Sequence, residues 1–122
     1  MSPNMHNRKV GNFGERIAAQ YLLEKGYTIV KRNFRYGRGE IDLIVRDGET
    51  LVFVEVKSRK HGGYGPPEAR VSRRKQRQLG KLAQAYLLRL DEPVDCRFDV
   101  LAVELAGDEP EVRHIEDAFW LH

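Results

Sequence analysis

Asp42, Glu55 and Lys57 are the residues whose types and spacing point to chemistry. Asp47-Gly48 lies between two runs of β-prone residues and marks a hairpin. With that pair as the turn, Glu40 is expected opposite Glu55 and Asp42 opposite Phe53, making Asp42 a diagonal neighbour of Glu55 on one face. Two carboxylates ~5 Å apart repel by ~3 kcal/mol at an effective dielectric of ~20. A hard divalent cation relieves that repulsion, because Mg²⁺ takes a few carboxylate oxygens and keeps several waters. Lys57, two residues past Glu55, points to the same face, where it can neutralise the site, orient a water or stabilise charge developing at phosphorus. A plain edge hairpin with its polar face in water and Lys57 paired to Glu55 accounts for an isolated Glu-x-Lys equally well. The case for chemistry is Asp42 one strand ahead of Glu55-Val56-Lys57, with Phe53 on the same face and a basic loop directly after.

The charge distribution suggests what such a site would act on. Residues 1–90 carry 19 Lys and Arg against 8 Asp and Glu, whereas residues 91–122 carry 2 against 10. A basic body with an acidic C-terminal segment suits a polyanionic partner, and nucleic acid is the expected one. Arg35, Arg38, Lys60, Arg73, Arg74 and Arg77 are the cations expected to hold a phosphate backbone without reading sequence. Tyr36 and Tyr64 sit in basic loops, where they can stack on unpaired bases. No apolar run reaches the ~20 residues of a membrane span. The polar N-terminus lacks the apolar core of a signal peptide. The single cysteine, Cys96, excludes a disulfide framework and a cysteine-rich zinc site, so a cytoplasmic setting is expected. The four histidines show no metal-ligand spacing, and Gly37-Arg38-Gly39 lacks the spacing of a nucleotide-binding loop.

The elements that must position the site are readable from periodicity. Residues 1–10 are expected as a flexible arm and 11–122 as a single domain, a length that buries a core unaided. Asn12 is a candidate N-cap, with Glu15 completing a capping box. Ile17, Ala18, Tyr21 and Leu22 share one helical face, and Gly26 stops the helix. Strands are expected over 27–34, 40–45 and 50–57, with Ile41, Leu43 and Val45 on one face of the second. A glycine-rich loop over 58–67 leads to a helix from Pro67 to about Leu90. Its buried stripe is Val71, Leu79, Leu82, Ala83, Tyr86, Leu87 and Leu90, and Pro93 ends it. Strands over 97–105 and 112–116 close the chain. Asp99 reads as structural or edge-exposed. The order α-β-β-β-α-β-β is that of an α/β mixed sheet flanked by helices.

Gly39-Glu40-Ile41-Asp42-Leu43-Ile44 followed by Val54-Glu55-Val56-Lys57-Ser58-Arg59 resembles the PD-(D/E)xK nuclease signature, and the helix segment Gly14-Glu15-Arg16-Ile17-Ala18 fits as well. Together they resemble the YraN family of bacterial proteins, itself similar to the Holliday-junction resolvases of the restriction-endonuclease-like superfamily. The likeness covers residues 11–105, with Ile41 standing where the motif has proline. It implies a restriction-endonuclease-like fold and a nuclease dependent on Mg²⁺ (or Mn²⁺). Asp42 and Glu55 would be metal ligands, Lys57 the catalytic lysine, and Glu15 the helix-borne acid completing the metal site, against its alternative role in the capping box. Gln76 resembles a polar residue that some relatives direct at the site, and is equally placed as a surface residue. DNA is the expected partner, on branched or processed substrates, and a homodimer is possible by analogy with the resolvases. The rival is a nucleic-acid-binding protein that keeps the fold without cutting.

Overall fold

The structure, a computed structural model, describes the backbone of residues 3–60, 71–105 and 108–119, and their side chains from Asn12 onward except that of Lys60. Helix α1 (Pro3–Glu24) precedes the strands β1 (Thr28–Tyr36), β2 (Gly39–Asp47) and β3 (Thr50–Lys60), then helix α2 (Arg73–Leu87) and the strands β4 (Cys96–Leu105) and β5 (Glu111–Ile115). The five strands form one open mixed sheet in the order β1-β2-β3-β4-β5. Only β3 and β4 run parallel, and α2 is the crossover between them. These two strands carry the most continuous apolar runs, from Leu51 to Val54 and from Val100 to Val103, because both of their faces are covered.

The two helices cover opposite faces. Ala18, Ala19 and Leu22 of α1 pack on Leu43, Val45, Val52, Val54, Leu101 and Val103. Leu79, Leu82 and Ala83 of α2 pack on Phe34, Ile41, Ile44, Leu51 and Phe53. The expected stripe of α2 is thus confirmed, with Val71, Tyr86, Leu87 and Leu90 at its margin. The helix starts later than expected, at Arg73. Ser72 caps it by accepting the Lys75 N–H at 3.1 Å, and Pro67 lies outside the described residues.

Helix α1 corrects the opposite way. It begins at Pro3, so backbone expected as a flexible arm over residues 3–10 is helical. Proline presets a first-turn φ, and no glycine interrupts the sequence before Gly11. Asn12 and Glu15 therefore sit inside the helix and form no capping box. The C-terminal stop is as expected. Gly26 takes φ 94°, its N–H bonds the Leu23 carbonyl, and the Tyr27 N–H reaches back to the Leu22 carbonyl. This is the double bond of a Schellman motif, with Tyr27 and Leu22 both in the core.

Tyr27 then joins a buried polar hub. Asp99, expected as structural or edge-exposed, has 0% exposure. Its carboxylate accepts from Arg97 Nε at 3.0 Å and the Asp117 N–H at 3.0 Å, and lies 2.7 Å from His114 Nε2. Arg97 also donates to the Tyr27 hydroxyl at 2.8 Å and to Asp47 at 3.1 Å. Burial alone would raise the Asp99 carboxyl, but the bonds from His114, Arg97 and Asp117 hold it below the ordinary carboxylate range.

α1 approaches β3 closely at Gly14. A Cβ built there would stand 1.7 Å from Ser58 Oγ and 2.8 Å from Ser58 Cβ. Alanine gains about 1 kcal/mol of helix propensity over glycine, yet overpacking costs about 1–3 kcal/mol. Gly14→Ala is therefore expected to lower stability in urea unfolding, and adding Ser58→Gly to recover most of the loss. A more stable Gly14→Ala single variant would show that the helix does not rest on Ser58.

Candidate functional site

The site forms where β2 leaves β3. The hairpin turn is Gly48-Glu49 rather than Asp47-Gly48, because Asp47 pairs with Thr50. Gly48 takes φ 62° and Glu49 does not share a positive value, as in a turn that needs glycine at its first central position. The register therefore corrects by two residues, which preserves the faces: Ile44, not Asp42, stands opposite Phe53. The ladder ends at Leu43↔Val54. Beyond it, the Val56 N–H donates to Asp42 Oδ2 at 2.8 Å, so a side chain takes over a ladder bond.

The cause lies one strand away. Asn33 adopts a left-handed φ of 53° between the pairs Arg32↔Leu43 and Phe34↔Ile41. Leu43 packs under α1 whereas Phe34 and Ile41 pack under α2, so both strands change face at the Asn33/Asp42 step. Ile41 thus does not share the face of Leu43 and Val45, as simple alternation predicts. Asp42, at the switch, is turned toward β3 and reaches its backbone.

Around this point the acids gather. Carboxylate oxygens of Glu15, Glu40 and Asp42 lie within 4.8 Å of one another. The Asn33 amide donates to both Glu15 and Glu40. Glu15 is therefore brought to the site from α1, and Glu40 joins it although only Asp42, Glu55 and Glu15 are expected as ligands from the sequence. Glu55 stands outside that close triad but is the charge that acts most strongly on Asp42. It is 8% exposed, and its Oε2 has no hydrogen-bond partner among the described residues. Burial, then the charge of Glu55, pushes the Asp42 carboxyl up to about 8, with Glu15 and Glu40 adding and the Val56 N–H opposing. Burial likewise raises Glu55, against the pull of Lys75 and Lys57.

The cations divide into two groups. Lys57 is half-buried on β3, near enough to act on Glu55. Lys75 was not singled out by sequence reasoning, yet its Nζ lies 4.0 Å from Glu55 Oε1 and acts on it more strongly than Lys57. The signal available was its place in the first turn of α2, after the Ser72 cap. Gln76 does not turn to the acids; its amide donates to the Val71 carbonyl at 3.0 Å. Arg35 pairs with Glu40 at 3.6 Å. Arg38, Arg73, Arg74 and Arg77 are exposed, and Arg74, Lys75 and Arg77 line one shallow cavity on α2 with Lys81. The Lys60 side chain and Tyr64 lie outside the described residues. Tyr36 is exposed at the end of β1.

Without a cation the acids should weaken the fold. Folding raises the Asp42 carboxyl from its ordinary value of 3.8, so it favours the protonated form. The associated stability is full below about pH 4 and is lost as pH climbs toward the folded value. In chelator, stability in urea should therefore fall between about pH 5 and 8. Asp42→Asn should flatten that slope and be the more stable protein at the upper end by at least ~1 kcal/mol, since one pH unit of differential protonation is worth about 1.4 kcal/mol. Asp99 works at lower pH, because a depressed carboxyl loses its contribution only as pH falls through its folded value. Parallel pH profiles for wild type and Asp42→Asn would contradict the repulsion.

Among the described residues, no helix is long and apolar enough to cross a membrane. The model of the uncharacterised protein family UPF0102 matches residues 14–103, which span α1 from Gly14 to β4 and include every acid of the cluster. The chain is 45% identical over 119 residues to a UPF0102 protein of Geobacter metallireducens, covering 97% of this chain and 98% of the relative. It is 50% identical to relatives from Geobacter sulfurreducens, covering 95% and 92%, and from Symbiobacterium thermophilum, covering 93% and 98%. With the family model spanning most of the domain and relatives matching over nearly their full length, the chain belongs to the UPF0102, or YraN, family.

Proposed function

We propose that this protein is a nuclease of the restriction-endonuclease-like class, hydrolysing phosphodiester bonds of nucleic acid, chiefly DNA, with a divalent cation. The observation that carries this reading is the close approach of Glu15, Glu40 and Asp42 at the split between β2 and β3, with Glu55 acting on Asp42 and one of its buried oxygens left unpartnered. A buried unpaired carboxylate oxygen is costly, and natural folds retain few. A cation fits it: the donors are all carboxylate oxygens, which suit Mg²⁺ or Mn²⁺ rather than softer ions. Asp42, Glu55 and Glu15 would hold it, with Glu40 beside them. When bound, it supplies charge neutralisation and an acidified water.

The chain's own groups do the rest. Asp42 is fixed in place by the Val56 N–H. Lys57 presents a positive charge on the face of Glu55, where it can stabilise charge developing on a scissile phosphate. Lys75 holds Glu55 from the helix side and tempers the acid cluster. The exposed Arg38, Arg73, Arg74 and Arg77 supply backbone affinity, which is sequence-independent and salt-sensitive. Because so many cations share that task, chemistry and binding should separate on mutation.

The test is incubation with duplex, single-stranded and branched DNA, with and without Mg²⁺ or Mn²⁺. Metal-dependent cleavage of at least one substrate is expected. Lys57→Ala should slow it by about 10²-fold or more, as loss of a charge-stabilising group does, while DNA affinity stays within a few fold. Asp42→Asn should abolish cutting without weakening binding. Metal-dependent binding with no cleavage of any substrate would favour a protein that keeps the fold but no longer cuts.

A further inference from the structure

We propose that the groove between α1 and β1 beside the acid cluster is a subsite for one unpaired nucleotide, so that the substrate is a nucleic acid with a single-stranded segment at the site. This deepens the nuclease reading and rests on it for the adjoining chemistry. The groove has a volume of about 240 Å³ and is lined by Asn12, Glu15, Arg16, Arg32, Asn33 and Leu43. It shares Glu15 and Asn33 with the acid cluster, so an occupant lies directly beside the expected scissile phosphate. Arg16 and Arg32 are exposed and make no ion pair among the described residues, which leaves two guanidinium groups for a phosphate.

The aromatic element stands next to Arg16. Phe13 is 46% exposed, although α1 buries its apolar residues on the other side, and the Arg16 guanidinium lies 5.7 Å from its ring centre. Arg16 both lines the groove and lies against the exposed Phe13 ring, so the ring extends the groove outward as a stacking platform beside a phosphate clamp, the combination that binds single strands whatever their bases. A base inside a duplex has both faces covered by its neighbours, so only an unpaired base can stack on Phe13. Leu43 at the floor of the groove and Asn12 at its rim offer an apolar and a polar contact to the same nucleotide.

Fluorescence anisotropy in EDTA, where nothing is cut, reads this directly. The probes are a labelled DNA strand of about 15 nucleotides and its duplex. Phe13→Ala should weaken single-strand binding about tenfold, the size of one lost stacking contact, and move duplex binding less than twofold. Phe13→Trp should retain single-strand affinity. Joint Arg16→Ala and Arg32→Ala replacement should reduce the single-strand salt slope by about 0.7 for each phosphate released. Equal effects of Phe13→Ala on both probes, no effect on either, or no binding of the single strand by the wild type would overturn the subsite. Metal-dependent cleavage indifferent to Phe13 and to the arginine pair would overturn it while leaving the nuclease reading intact. Phe13-dependent single-strand binding by a protein that cuts nothing would do the reverse.

Discussion

The hydrogen bond from the Val56 N–H to Asp42 Oδ2 is the contact on which the rest of the site depends. Two paired strands cannot part without leaving backbone groups unpaired, and buried N–H groups without partners are rare. Asp42 supplies the acceptor that β2 withdraws, so the sheet can open while its backbone stays satisfied. The opening admits Glu15 from α1, and Gly14, the residue before it, allows the helix to come down onto Ser58. The left-handed Asn33 bends β1 with β2 and ties Glu15 to Glu40 through its amide. A backbone-to-carboxylate bond, a glycine and an asparagine thus assemble four acids from α1, β2 and β3.

The two acid centres of the molecule are built on opposite terms. Asp99 is fully enclosed and accepts from Arg97 and a backbone N–H beside His114; it joins β4 to β5 and to the exit of α1. Its charge is satisfied, and its carboxyl is held low. Asp42 and Glu55 are held high, with like charges close by and one Glu55 oxygen unpartnered. Local conflict of this kind, in a fold that satisfies a buried carboxylate as fully as it does Asp99, is where function is expected to reside. Lys57 and Lys75 reduce the conflict without removing it, since Glu55 stays raised despite both.

Periodicity made most of the framework legible. The seven elements, their order and the buried stripe of α2 follow from apolar spacing, because each element has a face to cover. What spacing could not show was set by contacts between elements. The turn shifted by one residue, with Gly48 at its first central position instead of its second, two placements that glycine suits alike, and pairing moved by two. Ile41 changed face because Asn33 adopts a left-handed conformation, which alternation does not register. Glu15 looked like half of a capping box until the helix began at Pro3. Lys75 reached Glu55 because the Ser72 cap sets the start of α2 over the sheet, a matter of tertiary placement. Glu55 and Lys57 were visible because alternation puts them on one face of β3, and Asp42 because a pairing shift of two residues still leaves it beside Glu55.

A divalent cation should relieve the repulsion, and binding it should displace protons that folding retains on these carboxylates. The direct measurement is calorimetric titration of the apo-protein with Mn²⁺ near pH 7, in two buffers of different ionisation heat. Saturable binding is predicted, with a net release of protons that is lost in Asp42→Asn. The absence of saturable binding, or equal proton release from wild type and Asp42→Asn, would contradict a site held together against its own charge for a metal ion.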